Sequence, residues 1–175
     1  QTFPFRGQGI TVATLEEVFQ AFPDMPMTIE IKLVENQPVV EPFCQLIRQY
    51  NMQDKVLVAS FHQDALDQFR AACPGISTSA TQNEVISFFV RHALGLAASF
   101  SPAAQAVQAP EYRSGLHIVT PGFIDDAHSR GMDVHVWTVN QAADMQRMID
   151  LGVDGIITDR PDILLELLGR SGAQP

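Results

Sequence analysis

Residues 27–32 read MTIEIK, six positions in which apolar and polar side chains alternate. Successive side chains of a strand point to opposite faces, so Met27, Ile29 and Ile31 share one side while Thr28, Glu30 and Lys32 share the other. The run predicts a strand with one face on a core and a second face that carries both a carboxylate and an ammonium. Working outward from it, short apolar runs alternate with helical patterns. TLEEVFQAF (14–22) has helical spacing, with Thr14 placed to cap and Glu17 as its capping-box partner. QPVVEPFCQLIRQYN (37–51) supplies a second helix, KVLVASF (55–61) a second strand, and HQDALDQFRAAC (62–73) a helix stopped at Pro74 and Gly75.

The same alternation continues to the other end. ISTSAT (76–81) is a weak third strand, and an apolar helix runs from Asn83 to about Ala98. Within residues 101–120, AVQAP holds a short fourth strand before a loop. FIDDAHSRG (123–131) is a helix closed by Gly131, MDVHVWTV (132–139) a fifth strand, and AADMQRMIDLG a helix ended by Gly152. VDGIITD (153–159) is the sixth strand. PDILLELL closes the series with Pro161 in its first turn, where the missing N–H costs nothing. Strands alternating with helices predict βα units around a parallel sheet.

Composition fits one sizeable core. The 175 residues are 46% hydrophobic and 18% charged, and 11 Lys+Arg against 20 Asp+Glu give a formal charge of −9. That balance argues against nucleic acid as a partner and confines any phosphate-bearing ligand to a locally cationic spot. Cys44 and Cys73 form no CxxC pair and are expected to be reduced core thiols. The opening QTFPFRGQG has neither the basic start nor the continuous apolar stretch of a secretory leader, an expectation that leans toward the cytoplasm. VISFFVRHALGLAASF (85–100) is interrupted by Arg91 and His92 and falls short of the ~20 residues of a membrane span.

Six parallel strands suit either an open doubly wound sheet or part of a (β/α)8 TIM barrel. Polar or aromatic residues recur after several strands, at Lys32, Phe61 and His62, Asn140 and Asp159, which favours the barrel; no GxGxxG or GxxxxGK loop supports the alternative. A whole barrel takes about 250 residues, so two βα units are missing from the expected ring.

TLEEVF, MTIEIK, VLVASF, VHVWTVN and GVDGIITDRPD, in this order and at these spacings, closely resemble the glycerophosphodiester phosphodiesterases. The similarity runs from about residue 8 to residue 168. It implies a (β/α)8 barrel that uses Ca2+ or Mg2+ to hydrolyse glycerophosphodiesters to sn-glycerol 3-phosphate and an alcohol. It further implies that MTIEIK is the third barrel strand, with Glu30 a metal ligand, Lys32 beside the substrate phosphate and Trp137 a wall of the glycerol pocket. The family's opening His-Arg strand, Glu-Asn-Thr, Glu-x-Asp and later His-Asp motifs have no counterpart here. None of His62, His92, His117, His128 and His135 stands in those contexts. The chain therefore resembles the last six βα units of such an enzyme, without its acid/base histidines, and alone is expected to be inactive.

Each candidate also has a plainer reading. Glu30 and Lys32 are neighbours on one face and can pair with each other, and a desolvated barrel lysine can also form a Schiff base in an aldolase. Beside the resemblance, Glu30 is favoured as an oxygen ligand and Lys32 as a point charge for phosphate. Trp137, the single tryptophan, is either a core aromatic or a pocket wall, and Phe61 is placed with it as a substrate-binding residue at the site mouth. His135 reads as an interior hydrogen-bonded residue. Asn140 is expected to cap the following helix, and Asp159 either to cap or to border the pocket. Residues 85–100 are expected to be buried, the alternative being an apolar patch that meets a membrane carrying lysophospholipids or glycerophosphodiesters. A noncatalytic partial barrel that pairs with another chain is the remaining alternative, since open sheet edges promote self-association.

Overall fold

The computed structural model describes residues 7–32 and 38–170. Helix α1 (Leu15–Ala21) begins as its sequence dictates: Thr14 accepts from Glu17 N, and the Glu17 carboxylate accepts from Thr14 N. Strand β1 (Met27–Glu30), helix α2 (Val40–Gln49), strand β2 (Val56–Ala59) and helix α3 (Gln63–Ala72) follow. Helix α4 (Gln82–Ala93) opens with a second capping box, Thr81 with Glu84, and stops before Gly95, whose φ of 67° a side chain would resist. A 3-10 turn (Ala97–Ser99) leads to β3 (Ala106–Ala109). A hairpin of β4 (Tyr112–Arg113) and β5 (Leu116–His117) precedes α5 (Pro121–Ser129), β6 (Asp133–Val136), α6 (Ala142–Leu151), β7 (Gly155–Ile156) and α7 (Pro161–Leu167).

Strand order decides the architecture. β1 pairs with β2, Val58 of β2 bridges Thr78, Ser79 bridges Ala106 of β3, and β3 pairs with β6, which pairs with β7. Every one of these pairings is parallel. The order follows the chain without reversal, whereas a doubly wound sheet reverses at a switch point, so the strands are those of a singly wound, barrel-type α/β fold. Among the described residues β1 pairs only with β2, and β7 only with β6.

Alternation along the strands sorts the two faces. Met27, Ile29, Val56 and Val58 pack against α1, α2 and α3 through Phe19, Ile47 and Phe69. Val107, Val134 and Val136 pack against α4, α5 and α6 through Phe88, Phe123, Met145 and Met148. Each of these large side chains, once buried, contributes about 1.5–3 kcal/mol from apolar area. The other face holds Thr28, Glu30, Gln108, His135 and Gly155, and is left for the site.

Several expectations need correction. Cys44 and Cys73 are not reduced thiols: α2 and α3 pack side by side, their Cα atoms lie 5.9 Å apart, and the two form a disulfide. The third strand shrinks to the two bridging residues Thr78 and Ser79, because a Ser/Thr/Ala run offers little to pack. Asn140 is not a cap; Gln141 occupies that position without a side-chain bond, and Asn140 binds the loop after β7. Asp159 is not the cap of α7 either, since Arg160 stands there. Residues 85–100 are only half buried: Phe88 is 1% exposed, but Ile86 and Val90 are about half exposed, at 50% and 49%. No helix among the described residues is long and apolar enough to cross a membrane. The opening residues 1–6 and part of the 37–51 helix expectation lie outside the described residues.

Candidate active site

A cleft of about 760 Å³ opens at the carboxyl ends of the parallel strands. That is where loops of barrel-type folds gather their functional side chains. Thr28 and Glu30 reach it from β1, Ser60 and Phe61 from the end of β2, and Gln108 and Pro110 from β3 and its loop. Trp137 and Thr138 follow β6, Ile157 follows β7, and Ile86, Phe89 and Val90 form a wall from α4.

Three of the four residues singled out from sequence share this cleft: Glu30, Phe61 and Trp137. The Phe61 and Trp137 rings meet edge to face, centroids 6.1 Å apart and planes at 88°, although their strands are not neighbours. That contact spans the mouth from β2 to β6 and leaves Phe61 57% exposed. Local bonds fix both ring carriers. Ser60 is buried and donates to Ile31 O at 2.8 Å, His62 N donates to Ser60 Oγ at 3.1 Å, and Trp137 N donates to Ala109 O at 3.2 Å. The Trp137–Thr138 peptide is cis.

Lys32 stands elsewhere. Its Nζ lies 3.7 Å from Glu30 Oε2, but its side chain is 80% exposed, and it lines a neighbouring groove with Leu15, Val39 and Phe43. An exposed pair of this kind is worth about 0–1 kcal/mol, so the two charges are free to take other partners. Glu30 touches both grooves.

A divalent cation needs several oxygen ligands. Among the described residues no group of three or more His, Cys, Asp or Glu side chains is placed to hold one. Glu30 supplies one carboxylate with an ammonium beside it, a donor set that does not by itself fit Ca2+ or Mg2+.

The interior of the sheet behaves as expected at His135. Gln108 Nε2 donates to its Nδ1 at 3.2 Å, and burial lowers its pKa against the opposing pull of Asp133 and Asp154. The ring is thereby kept neutral, a packed interior group. Gly155 exists for this ring: a Cβ there would lie 2.7 Å from His135 Cδ2. Asn140 accepts from Thr158 Oγ1 and Asp159 N and donates to Asp159 Oδ2, tying the β6 loop to the β7 loop.

The fold and these motifs have counterparts in known proteins. A model of the glycerophosphoryl diester phosphodiesterase family matches residues 1–163. The chain belongs to this family. It is 31% identical over 166 residues to the Mycobacterium tuberculosis protein named "Probable glycerophosphodiester phosphodiesterase 2", covering 93% of the chain and 62% of that protein. It is 28% identical over 168 residues to a glycerophosphodiester phosphodiesterase of Caldanaerobacter subterraneus, covering 94% and 65%. A lysophospholipase D of Rattus norvegicus is 24% identical over 188 residues, covering 95% and 60%. The chain thus spans about three-fifths of the length of these curated relatives. The crystal structure of the glycerophosphoryl diester phosphodiesterase domain of a Mycobacterium tuberculosis protein superposes with a TM-score of 0.77 at 18% identity, over 97% of this chain and 68% of that one. That of an Agrobacterium tumefaciens glycerophosphodiester phosphodiesterase gives 0.67 at 18%, over 89% and 61%. These likenesses show the shared α/β fold of TIM-barrel type.

Sequence reading missed the β4–β5 hairpin and, with it, Arg113, Ser114 and Leu116 in the cleft lining. The signal was the Ser114-Gly115 dipeptide between YR and LH. Both residues have positive φ, 51° and 79°, as a two-residue type I′ hairpin turn requires.

Proposed function

We propose that this chain forms the carboxyl-terminal part of a divalent-cation-dependent hydrolase that cleaves glycerophosphodiesters to sn-glycerol 3-phosphate and an alcohol. The observation that carries the reading is the convergence of Glu30, Phe61 and Trp137 on one strand-end cleft in a chain of this family. In it, Phe61 and Trp137 clasp the glycerol carbons, and Lys32, free to swing on its exposed stem, meets the phosphate as a point charge. Glu30 would supply one ligand of a cation, Ca2+ or Mg2+, whose remaining carboxylates would have to come from chain outside these 175 residues. So would the acid and base that protonate the leaving alcohol and activate the nucleophile.

An apolar wall favours a second reading of the substrate. Ile86, Phe89 and Val90 of α4 face the cleft beside Leu116, which suits an acyl chain and hence a lysophospholipid taken from a membrane surface. A noncatalytic partial barrel that pairs with another chain is the alternative from a different class.

One set of assays separates these. The 175-residue chain is expected to release no choline from glycerophosphocholine or lysophosphatidylcholine, with or without Ca2+ or Mg2+. A protein that carries the chain together with the family's histidine motifs is expected to release it, and to lose at least about a hundredfold in kcat on Glu30→Gln, the cost of one removed charge-stabilising group. Metal-dependent turnover by the 175 residues alone would sink the division of labour. Equal turnover by the Glu30→Gln variant would sink the role of that carboxylate. Faster turnover of the acylated substrate would select the lysophospholipid reading. An inactive larger protein, with the 175 residues sedimenting as a stable dimer, would favour the pairing module.

A further inference from the structure

The cleft is lined by two charged residues among those described, Glu30 on β1 and Arg113 on the β4–β5 hairpin. The Arg113 guanidinium makes no hydrogen bond or ion pair with any described residue, in a chain of formal charge −9. Its carrier is firmly built. Tyr112 and His117 stack across the hairpin with ring centroids 4.4 Å apart and planes at 16°. Arg113 pairs with Leu116 in the antiparallel register, and the Ser114-Gly115 turn closes the end. At the base, Glu111 accepts from Arg147 Nη1, and Glu111 O accepts from Ile118 N at 2.8 Å. An unpaired guanidinium has thus been placed at a cleft by an arm that gives it no internal counter-ion.

We infer that Arg113 is a specificity-determining residue which binds an additional anionic group, a phosphate or a carboxylate, on the alcohol portion of the diester. The inference rests on the proposed function for the position of the scissile phosphate, at the Glu30 and Lys32 corner. β1 and β3 are three strand steps apart through β2 and the Thr78–Ser79 bridges, roughly 14 Å of arc at ~4.8 Å a step. With Glu30 and Lys32 at the β1 corner, the hairpin after β3 carries Arg113 toward the other end of a diester seated across the cleft. A diester whose alcohol bears its own oxyanion reaches both. The planar guanidinium suits bidentate recognition of such a group, and it repels a trimethylammonium.

Trp137 is the only tryptophan of the chain and lines the same cleft, so its fluorescence reports binding without turnover. The probes are glycerophosphoinositol 4-phosphate, glycerophosphoinositol, which differs by one phosphate, and glycerophosphocholine. The chain should bind the first about tenfold more tightly than the second, the low end of what one charge-assisted hydrogen bond supplies. Arg113→Ala should abolish that difference with little change in affinity for glycerophosphoinositol, and Arg113→Glu should turn the preference toward glycerophosphocholine. A preference that survives Arg113→Ala overturns the inference. So does an equal loss for all three probes, which would put Arg113 on the scissile phosphate. Absence of any preference in the unsubstituted chain overturns it as well. The binding preference without hydrolysis by any protein carrying the chain would overturn the proposed activity alone; hydrolysis without the preference would overturn Arg113's role alone. Arg113 is exposed, so unchanged circular dichroism of the variants excludes unfolding as the cause.

Discussion

Gly155 shows how one missing side chain fixes the interior of the sheet. It faces His135 across the β6–β7 pairing, and a Cβ would come within 3.0 Å of His135 Cγ and 2.7 Å of Cδ2. The ring cannot retreat without giving up Gln108. Gly155→Ala is therefore expected to cost about 1–3 kcal/mol, the usual range for overpacking, read as a lower urea midpoint with an unchanged slope. A Gly155→Ala, Gln108→Ala double variant should recover part of that loss, because the ring then has room to move. No recovery would mean that the strain lies in the backbone. Residues of this kind were legible only as motif letters. The GVDGIITD run marks a strand, but what Gly155 avoids is a ring twenty residues away in the chain.

Among the elements, α3 and α4 are joined by one arginine. Arg70 donates to both carboxylate oxygens of Glu84, at 2.9 and 3.0 Å, to Thr78 Oγ1 at 3.0 Å and to Ser79 O at 3.1 Å. The pair is largely buried, its side chains 18% and 20% exposed. Glu84 is also the capping-box partner of Thr81, so one group both starts α4 and ties it to the bridging strand. Arg70→Met should cost about 3 kcal/mol by stranding the carboxylate, and should loosen the α4 wall of the cleft. Burial alone would raise the Glu84 carboxyl, but the bonds from Arg70 and from Thr81 N outweigh it and leave it below the ordinary carboxylate range. A carboxyl with a depressed folded pKa stabilises fully above its unfolded value and loses that contribution as pH falls through the folded one. The chain should therefore lose stability below about pH 4, and Glu84→Gln, less stable at neutral pH, should show a shallower decline there. Both capping boxes stand in the sequence as Thr-x-x-Glu. The arginine that completes the second does not, because its partners are set by how α3 packs on α4.

At the scale of the whole molecule, the two apolar clusters are separate, one beneath α1 to α3 and the other beneath α4 to α6. The disulfide joins α2 to the end of α3 and so braces the first of them. Closing a loop of 29 residues restricts the unfolded chain by about 3–4 kcal/mol. A Cys44→Ala, Cys73→Ala variant should lower the denaturation midpoint accordingly, and the unsubstituted protein should titrate no thiols in guanidinium without reductant. Two titratable thiols would restore the expectation of free cysteines.

Period and end signals are local properties, and they settle the α/β alternation, most strands and helices, and the capping box of Thr14 with Glu17. The order of motifs identifies the family, and with it Glu30, Phe61 and Trp137 as neighbours to be. What only the tertiary structure decided depends on contacts between residues distant in the chain. Those contacts bond Cys44 to Cys73, turn Asn140 from a cap into a tie between loops, and set Lys32 in a groove beside the main cleft. They also bring Arg113 to the cleft on a hairpin whose two-residue strands are too short to show a period. A pattern reports which way a side chain points from its own element; only packing decides what it meets there.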